Sequence, residues 1–190
     1  MEQTHDHAAS TIFTIPNLLS FFRLLLIPAI VHMMVAEKNA LWAAGLVVLS
    51  GLTDMVDGFV ARRFHMVSDL GKALDPIADK LTQVAVLACL TFQHPLMFLP
   101  LALLMIKETA AAVMGLVVIR RTGQVYGADW HGKVATALLY TTMTLHLVWY
   151  PIPPLFSTVS ILLCTAAIGF SCVCYTAKNL RLIRMGKAPD

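Results

Sequence analysis

The sequence predicts an all-α integral membrane protein of six transmembrane helices, with both termini on the cytoplasmic side. Three observations carry this reading. Of the 190 residues, 58% are hydrophobic and 13% charged, whereas an average soluble domain has about 45–50% and about 25%. The apolar residues fall into six runs, most of them near the roughly 20 residues that a bilayer-crossing helix needs. The Lys and Arg residues are sorted between alternate joints, as in a chain whose cytoplasmic loops hold the positive charge. The length suits a single domain, 1–190, with a polar segment over 1–14 and a basic tail over 179–190.

The first run, Asn17–Ala36, is interrupted by Arg23 and Pro28 and closes on "AEKN". The second, Ala40–Val60, is apolar as far as Leu52, then takes on Asp54 and Asp57 and stops before "RRFH". The third, Leu74–Phe92, begins with Asp75 and Asp79, turns apolar and ends at "FQHP". The fourth, Leu96–Ile119, contains Pro100 and the pair Lys107-Glu108, and runs into "RRTGQVYG". The fifth, Val134–Trp149, ends before "YPIPP", and the sixth, Leu155–Ala177, leads into the tail. Backbone groups in lipid must be satisfied inside the segment, so runs of this length are helices, and neighbouring groups can absorb an internal proline. Barrel strands would be about half as long and would alternate.

Ten basic residues lie in the second joint, the fourth joint and the tail, against Lys38 alone in the odd-numbered joints. That asymmetry orients the chain. Trp42, Trp130, Trp149 and Tyr150 stand near run ends, where an interfacial belt is expected. Residues 1–11 hold no Lys or Arg and the next apolar run is too long for a signal peptide. A net charge of +3, with its cations beside apolar runs, gives no footprint for nucleic acid. Cys89, Cys164, Cys172 and Cys174 sit in apolar runs and read as buried thiols, not a disulfide framework. His5 and His7 read as part of a polar terminus, and His146 as a hydrogen-bonded residue between helices. Gly115 and Gly169 permit close helix contact, within the chain or between copies.

The acids are the anomaly. Asp54 and Asp57 are three apart and Asp75 and Asp79 four apart, spacings that place each pair on one helical face. A short joint predicts antiparallel neighbours, so four carboxylates converge at the cytoplasmic border. Gly58 follows the first pair and Gly71 precedes the second, leaving room for close approach to the backbone. Four unpaired carboxylates repel one another and favour protonation. Hard cations such as Mg²⁺ or Mn²⁺ resolve this, and four carboxylates suffice for two ions of the kind that serve phosphoryl displacement. Two alternatives are a solvated cluster with Arg62, Arg63, Lys72 and Lys80, and an ion or proton pathway. A pathway favours acids spread through the bilayer depth; these gather at one side.

The pattern Asp54-x2-Asp57-Gly58-x2-Ala61-Arg62-x8-Gly71-x3-Asp75-x3-Asp79 resembles, at all eight specified residues and every gap, the signature of the CDP-alcohol phosphotransferases. The resemblance implies six helices and transfer of a phosphatidyl or similar group from a CDP-linked donor to an alcohol, releasing CMP. It implies that Asp54, Asp57 and Asp75 hold a metal at the donor diphosphate. Asp79 would hold a second ion and serve as the general base. Gly58, Ala61, Arg62 and Gly71 would bind the CDP moiety, with Ser68 and Asn17 as further donor contacts outside the signature. It also implies a homodimer; the expected location is a bacterial inner membrane, with the charge asymmetry turning the site to the cytoplasm.

Within the family, "IPNLLSFFRLLLIP" resembles the first helix of phosphatidylglycerophosphate synthases, and "LDPIADK" resembles both these and cardiolipin synthases. The glycerophosphate enzymes often show Arg-Glu and Gly-Lys-x-Lys-Thr where this chain has Lys107-Glu108 and Gly132-Lys133-Val134-Ala135-Thr136. Arg23, Lys107, Arg120, Arg121 and Lys133 are the candidate cations for an anionic acceptor. Lys107 and Glu108, being adjacent, are expected to project to different sides. The leading reading is CDP-diacylglycerol as donor and glycerol-3-phosphate as acceptor. Ala135 removes one cation, so phosphatidylglycerol as acceptor, giving cardiolipin, stays open, as do inositol phosphate and serine.

Overall fold

The computed structural model describes residues 15–64, 69–122, 130–149 and 151–185; within its helices, residues 15–17, 54–55, 57–64, 69–75, 122 and 185 are described by backbone alone. Among the described residues, six α-helices occupy the six predicted runs: α1 Ile15–Val35, α2 Ala40–Phe64, α3 Asp69–Gln93, α4 Phe98–Thr122, α5 Trp130–Val148 and α6 Pro154–Met185. A 3₁₀ turn, Pro95–Met97, precedes α4. There is no strand among the described residues. Among the described residues, three stretches are long and apolar enough to cross a membrane: Leu18–Val35, Pro95–Arg121 and Pro154–Arg184. The apolar part of α2, Ala40–Thr53, is shorter.

The helices outrun the apolar runs at their charged ends. α2 continues through Arg62 and Arg63 to Phe64, and α6 continues past Lys178, Arg181 and Arg184. Hydropathy marks where the chain would leave hydrocarbon, but the i→i−4 ladder persists through any good helix former.

The helices group into two compact units, one within Met1–Cys89 and one within Leu90–Asp190. In the first, α1 packs on α2. Ser20, Arg23, Leu26, Ile30 and Met34 form a buried stripe on α1, with spacings of three and four that keep one face inward. Ala43, Ala44 and Val47 are buried on α2; small side chains there let two backbones approach, the usual basis of helix association in lipid. Arg23, 2% exposed, therefore occupies a core position on the first helix. Lys38 closes α1 in the left-handed region at φ 51°, and Asn39 opens α2 by accepting the Trp42 N–H on Oδ1 at 3.2 Å, a side-chain N-cap.

In the second unit, α6 packs against both α4 and α5. Ala135, Leu139, Met143 and Leu147 form the buried stripe of α5, and Ile161, Cys164, Ile168 and Ser171 that of α6. A Cβ on Gly169 would meet Leu103 Cδ2 at 3.4 Å, and one on Gly115 would meet Tyr175 Oη at 3.5 Å. Both glycines thus face α4–α6 neighbours of their own chain. Cys89 and Cys164 are buried, Cys172 and Cys174 half-buried, and all four are free thiols. Outward stand large apolar side chains such as Leu25, Phe92, Leu155 and Val173, a surface unsuited to water over so many positions.

Candidate functional site

Positions 54 and 57 lie three apart on the unbroken helix α2, and positions 75 and 79 four apart on the unbroken helix α3. The backbone therefore supplies the two one-sided spacings that the sequence predicted. Asn17 lies on α1, Gly58, Ala61 and Arg62 on α2, and Gly71 on α3. The side chains of Asn17, Asp54, Asp57, Ala61, Arg62 and Asp75 lie outside the described residues, as do Ser68 and the rest of the 65–68 joint. The convergence of the four carboxylates falls on those residues.

Asp79 is the described member of the set. It is half-buried, and its Oδ2 accepts a hydrogen bond from Gln83 Nε2 at 2.9 Å. Lys80 Nζ lies 3.8 Å from the same oxygen, with about a third of each side chain open (32% and 27%). At that exposure the ion pair contributes little, about 0–1 kcal/mol. A buried amide donating to a carboxylate is the stronger contact. Gln83 is itself fully buried and lies one turn along α3, so it fixes the rotamer of Asp79 from below. Sequence reasoning missed Gln83. The signal was present: a glutamine four residues after an acid is an i,i+4 partner.

Among the described residues no three His, Cys, Asp or Glu side chains gather as a metal cluster; three of the four aspartates are outside that set. The donor chemistry of the four aspartates fits a hard divalent ion, which takes carboxylate oxygens. A metal-ligating carboxylate is ordinarily held by an outer hydrogen bond, and Asp79 has one from Gln83.

The candidate acceptor cations divide between the units. Arg23 is the buried member of the first unit. Lys107, Arg120, Arg121 and Lys133 belong to the second. Arg120, Arg121 and Lys133 are exposed, and Arg121 Nη1 reaches the Ile183 carbonyl at 3.4 Å, tying α4 to the polar end of α6. Lys107 corrects an expectation. Its Nζ donates to the adjacent Glu108 at 3.0 Å, because long side chains only about 100° apart on a helix can arc back toward each other. Lys107 is thus largely neutralised by its neighbour. Ala135 is 1% exposed in the stripe of α5.

At the far end of the second unit, His146 is 2% exposed. Its Nδ1 lies 2.8 Å from the Thr142 carbonyl and its Nε2 3.0 Å from Ser157 Oγ. A carbonyl only accepts, so Nδ1 carries the proton and the serine hydroxyl donates to Nε2. His146 is the interhelical hydrogen-bonding residue that the sequence suggested. The His94 ring, in the joint before α4, meets it edge-on with centroids 4.9 Å apart. Burial, with His146 nearby, lowers the pKa of His94 below the ordinary imidazole value.

The family model for CDP-alcohol phosphatidyltransferases matches residues 13–173, a range that runs through both units. Over 112 residues the chain is 38% identical to the CDP-diacylglycerol–glycerol-3-phosphate 3-phosphatidyltransferase of Aquifex aeolicus, covering 56% of this chain and 61% of that protein. It is 33% identical over 117 residues to the CMP-forming cardiolipin synthase of Streptomyces coelicolor, covering 59% and 54%. It is 36% identical over 109 residues to the human CMP-forming cardiolipin synthase, covering 57% and 36%. In each case the matched stretch spans less than two thirds of the relative's length.

Proposed function

Because the chain belongs to the CDP-alcohol phosphatidyltransferase family, we propose that it transfers a phosphatidyl group from CDP-diacylglycerol to glycerol-3-phosphate, giving phosphatidylglycerophosphate and CMP. The observation that carries the proposal is the eight-residue signature from Asp54 to Asp79, inside a match that extends over 13–173. The relative of Aquifex aeolicus bears the name of this reaction.

Asp54, Asp57, Asp75 and Asp79 would hold two Mg²⁺ or Mn²⁺ ions. Bound there, the ions offset the charge of the donor diphosphate and of the leaving group. Arg62 pairs with a donor phosphate oxygen, while Gly58, Ala61 and Gly71 leave space for the cytidine and its phosphates, with Asn17 and Ser68 as outer contacts. Asp79 accepts the proton of the acceptor hydroxyl as its oxygen bonds to the phosphatidyl phosphorus. The bond from that phosphorus to the bridging oxygen breaks, and CMP leaves with the bond's electron pair. Gln83 steadies Asp79 through its Nε2–H hydrogen bond to Oδ2. Lys133, with Arg120 or Arg121, attracts the acceptor phosphate; Arg23 and Lys107 are the secondary candidates.

The chain is an integral membrane protein. We place all six helices across the bilayer of a bacterial inner membrane, within one domain and as a homodimer. Both termini and the aspartates then face the cytoplasm, where CMP departs into water and the donor's acyl chains remain in lipid. A second reading is cardiolipin synthesis from phosphatidylglycerol, favoured by the names of the Streptomyces and human relatives and by the missing cation at Ala135.

The test supplies purified protein with CDP-diacylglycerol, Mg²⁺ and one acceptor at a time: glycerol-3-phosphate, phosphatidylglycerol, inositol phosphate or serine. Glycerol-3-phosphate should give the fastest CMP release, and Lys133→Ala should raise its KM more than the donor's. Turnover with phosphatidylglycerol alone, yielding cardiolipin, would replace the acceptor assignment while leaving the family chemistry intact.

A further inference from the structure

Gln83 presents two ends to two different needs. Its Nε2 donates to Asp79 Oδ2 at 2.9 Å. A carboxylate oxygen is an acceptor, so the amide nitrogen must be the end that faces it, which fixes the orientation of the carboxamide. The other end, Oε1, is buried and has no hydrogen-bond partner, on a side chain with no exposed surface. Leaving a buried carbonyl oxygen unpaired is costly, and such atoms call for an explanation. Lys80, the nearest cation along the helix, lies against Asp79.

From this geometry we infer that Gln83 Oε1 accepts a hydrogen bond from a second hydroxyl of the acceptor, on the carbon next to the one that attacks. The inference rests on the phosphatidyl-transfer reading and deepens it. The two amide atoms are separated by one carbon, so Oε1 lies within a few ångströms of the Asp79 carboxylate. Oε1 is closed off in this structure, so acceptor binding must part the packing over it as a hydroxyl delivers its proton to Asp79 and the group on the adjacent carbon comes to Oε1. A vicinal diol fills both positions at once. Glycerol-3-phosphate and the free glycerol of phosphatidylglycerol both carry one, and inositol phosphate does as well. Serine has an amine-bearing carbon in that place and no second hydroxyl. Gln83 thus acts twice: it positions the base through Nε2 and reads the class of acceptor through Oε1. An apolar residue at 83 would keep the helix packed and lose both contacts.

The experiment compares glycerol-3-phosphate with 3-hydroxypropyl phosphate, which keeps the attacking hydroxyl and the phosphate but lacks the middle hydroxyl. Phosphatidylglycerol and phosphatidyl-1,3-propanediol form the matching lipid pair. In the unmodified protein, loss of the second hydroxyl should lower kcat/KM by roughly 10- to 100-fold, the range expected when a buried polar atom loses its partner. Gln83→Met, unbranched and without hydrogen-bonding groups, should lower kcat for both members of a pair and bring their kcat/KM values within about threefold of each other, below the size of one ordinary hydrogen bond. Equal use of diol and deoxy acceptor by the unmodified protein would overturn the inference and leave phosphatidyl transfer standing. Unchanged discrimination in Gln83→Met would overturn it too. CMP release with none of the four acceptors would instead remove the reaction on which it rests. Should Gln83→Met fail to fold, the unmodified protein decides the matter alone.

Discussion

Replacing Asp79 by Asn separates catalysis from stability. The substitution keeps the shape of the side chain and an oxygen able to accept the Gln83 Nε2–H, now 2.9 Å from Oδ2. It removes the charge and the capacity to take a proton. On stability the effect is small: a hydrogen bond to a charged group, about 1.5–3 kcal/mol, becomes a neutral one of about 0.5–1.5 kcal/mol. The 3.8 Å approach of Lys80 is partly solvated and adds no more than about 1 kcal/mol. On turnover the effect is large. Loss of a general base costs about 10²- to 10⁴-fold, which is roughly 3–5.5 kcal/mol of barrier at about 1.4 kcal/mol per tenfold. The assay pairs CMP release under saturating substrates with donor affinity and thermal unfolding of the same preparation. Donor affinity should stay within a few-fold, unfolding should shift by a few degrees, and turnover should nearly vanish. Turnover within a few-fold of the unmodified protein would refute the role of Asp79 as base.

Two further outcomes follow from other parts of the chain. His94 has a folded pKa lowered chiefly by burial, with His146 adding to it. Its neutral form therefore stabilises the fold above the unfolded pKa of about 6.5, and that contribution is lost as pH falls through the lowered folded value. Thermal unfolding of the unmodified protein should drop between neutral and mildly acidic pH more steeply than that of His94→Gln; parallel curves would contradict this. For topology, a cysteine placed in the 123–127 joint of a Cys-free variant should react with an impermeant thiol reagent from the cytoplasmic side only, and one at position 151 from the opposite side only. Reversed labelling would overturn the orientation.

The six helices were legible because each apolar run announces itself in composition alone. Their charged ends were not, because Arg62, Arg63 and Lys178 end a hydropathy window without ending the helix. Within the site, the aspartate spacings could be read directly, since i,i+3 and i,i+4 are properties of any helix. Gln83 lay within the same rule and was passed over: a lone amide in an apolar run carries no charge to attract notice. The pairing of Lys107 with Glu108 was missed for a different reason: adjacency fixes backbone directions, while two long flexible side chains can still meet. Arg23 stood out as a charge in an apolar run, but its place in a buried stripe with Leu26, Ile30 and Met34 needed the packing of α1 on α2. The contact of His94 with His146 joins residues far apart in the chain, and no local pattern encodes it.

Divalent ions held by the carboxylates of α2 and α3 would make the CDP-linked donor reactive. The most direct measurement is CMP release from CDP-diacylglycerol and glycerol-3-phosphate by protein stripped with chelator, before and after Mg²⁺ or Mn²⁺ is restored, with Asp57→Asn and Asp75→Asn in parallel. Release should be absent without metal and recover on its return, and both variants should lose most activity while each remains folded in the membrane. Full CMP release in excess chelator would contradict it.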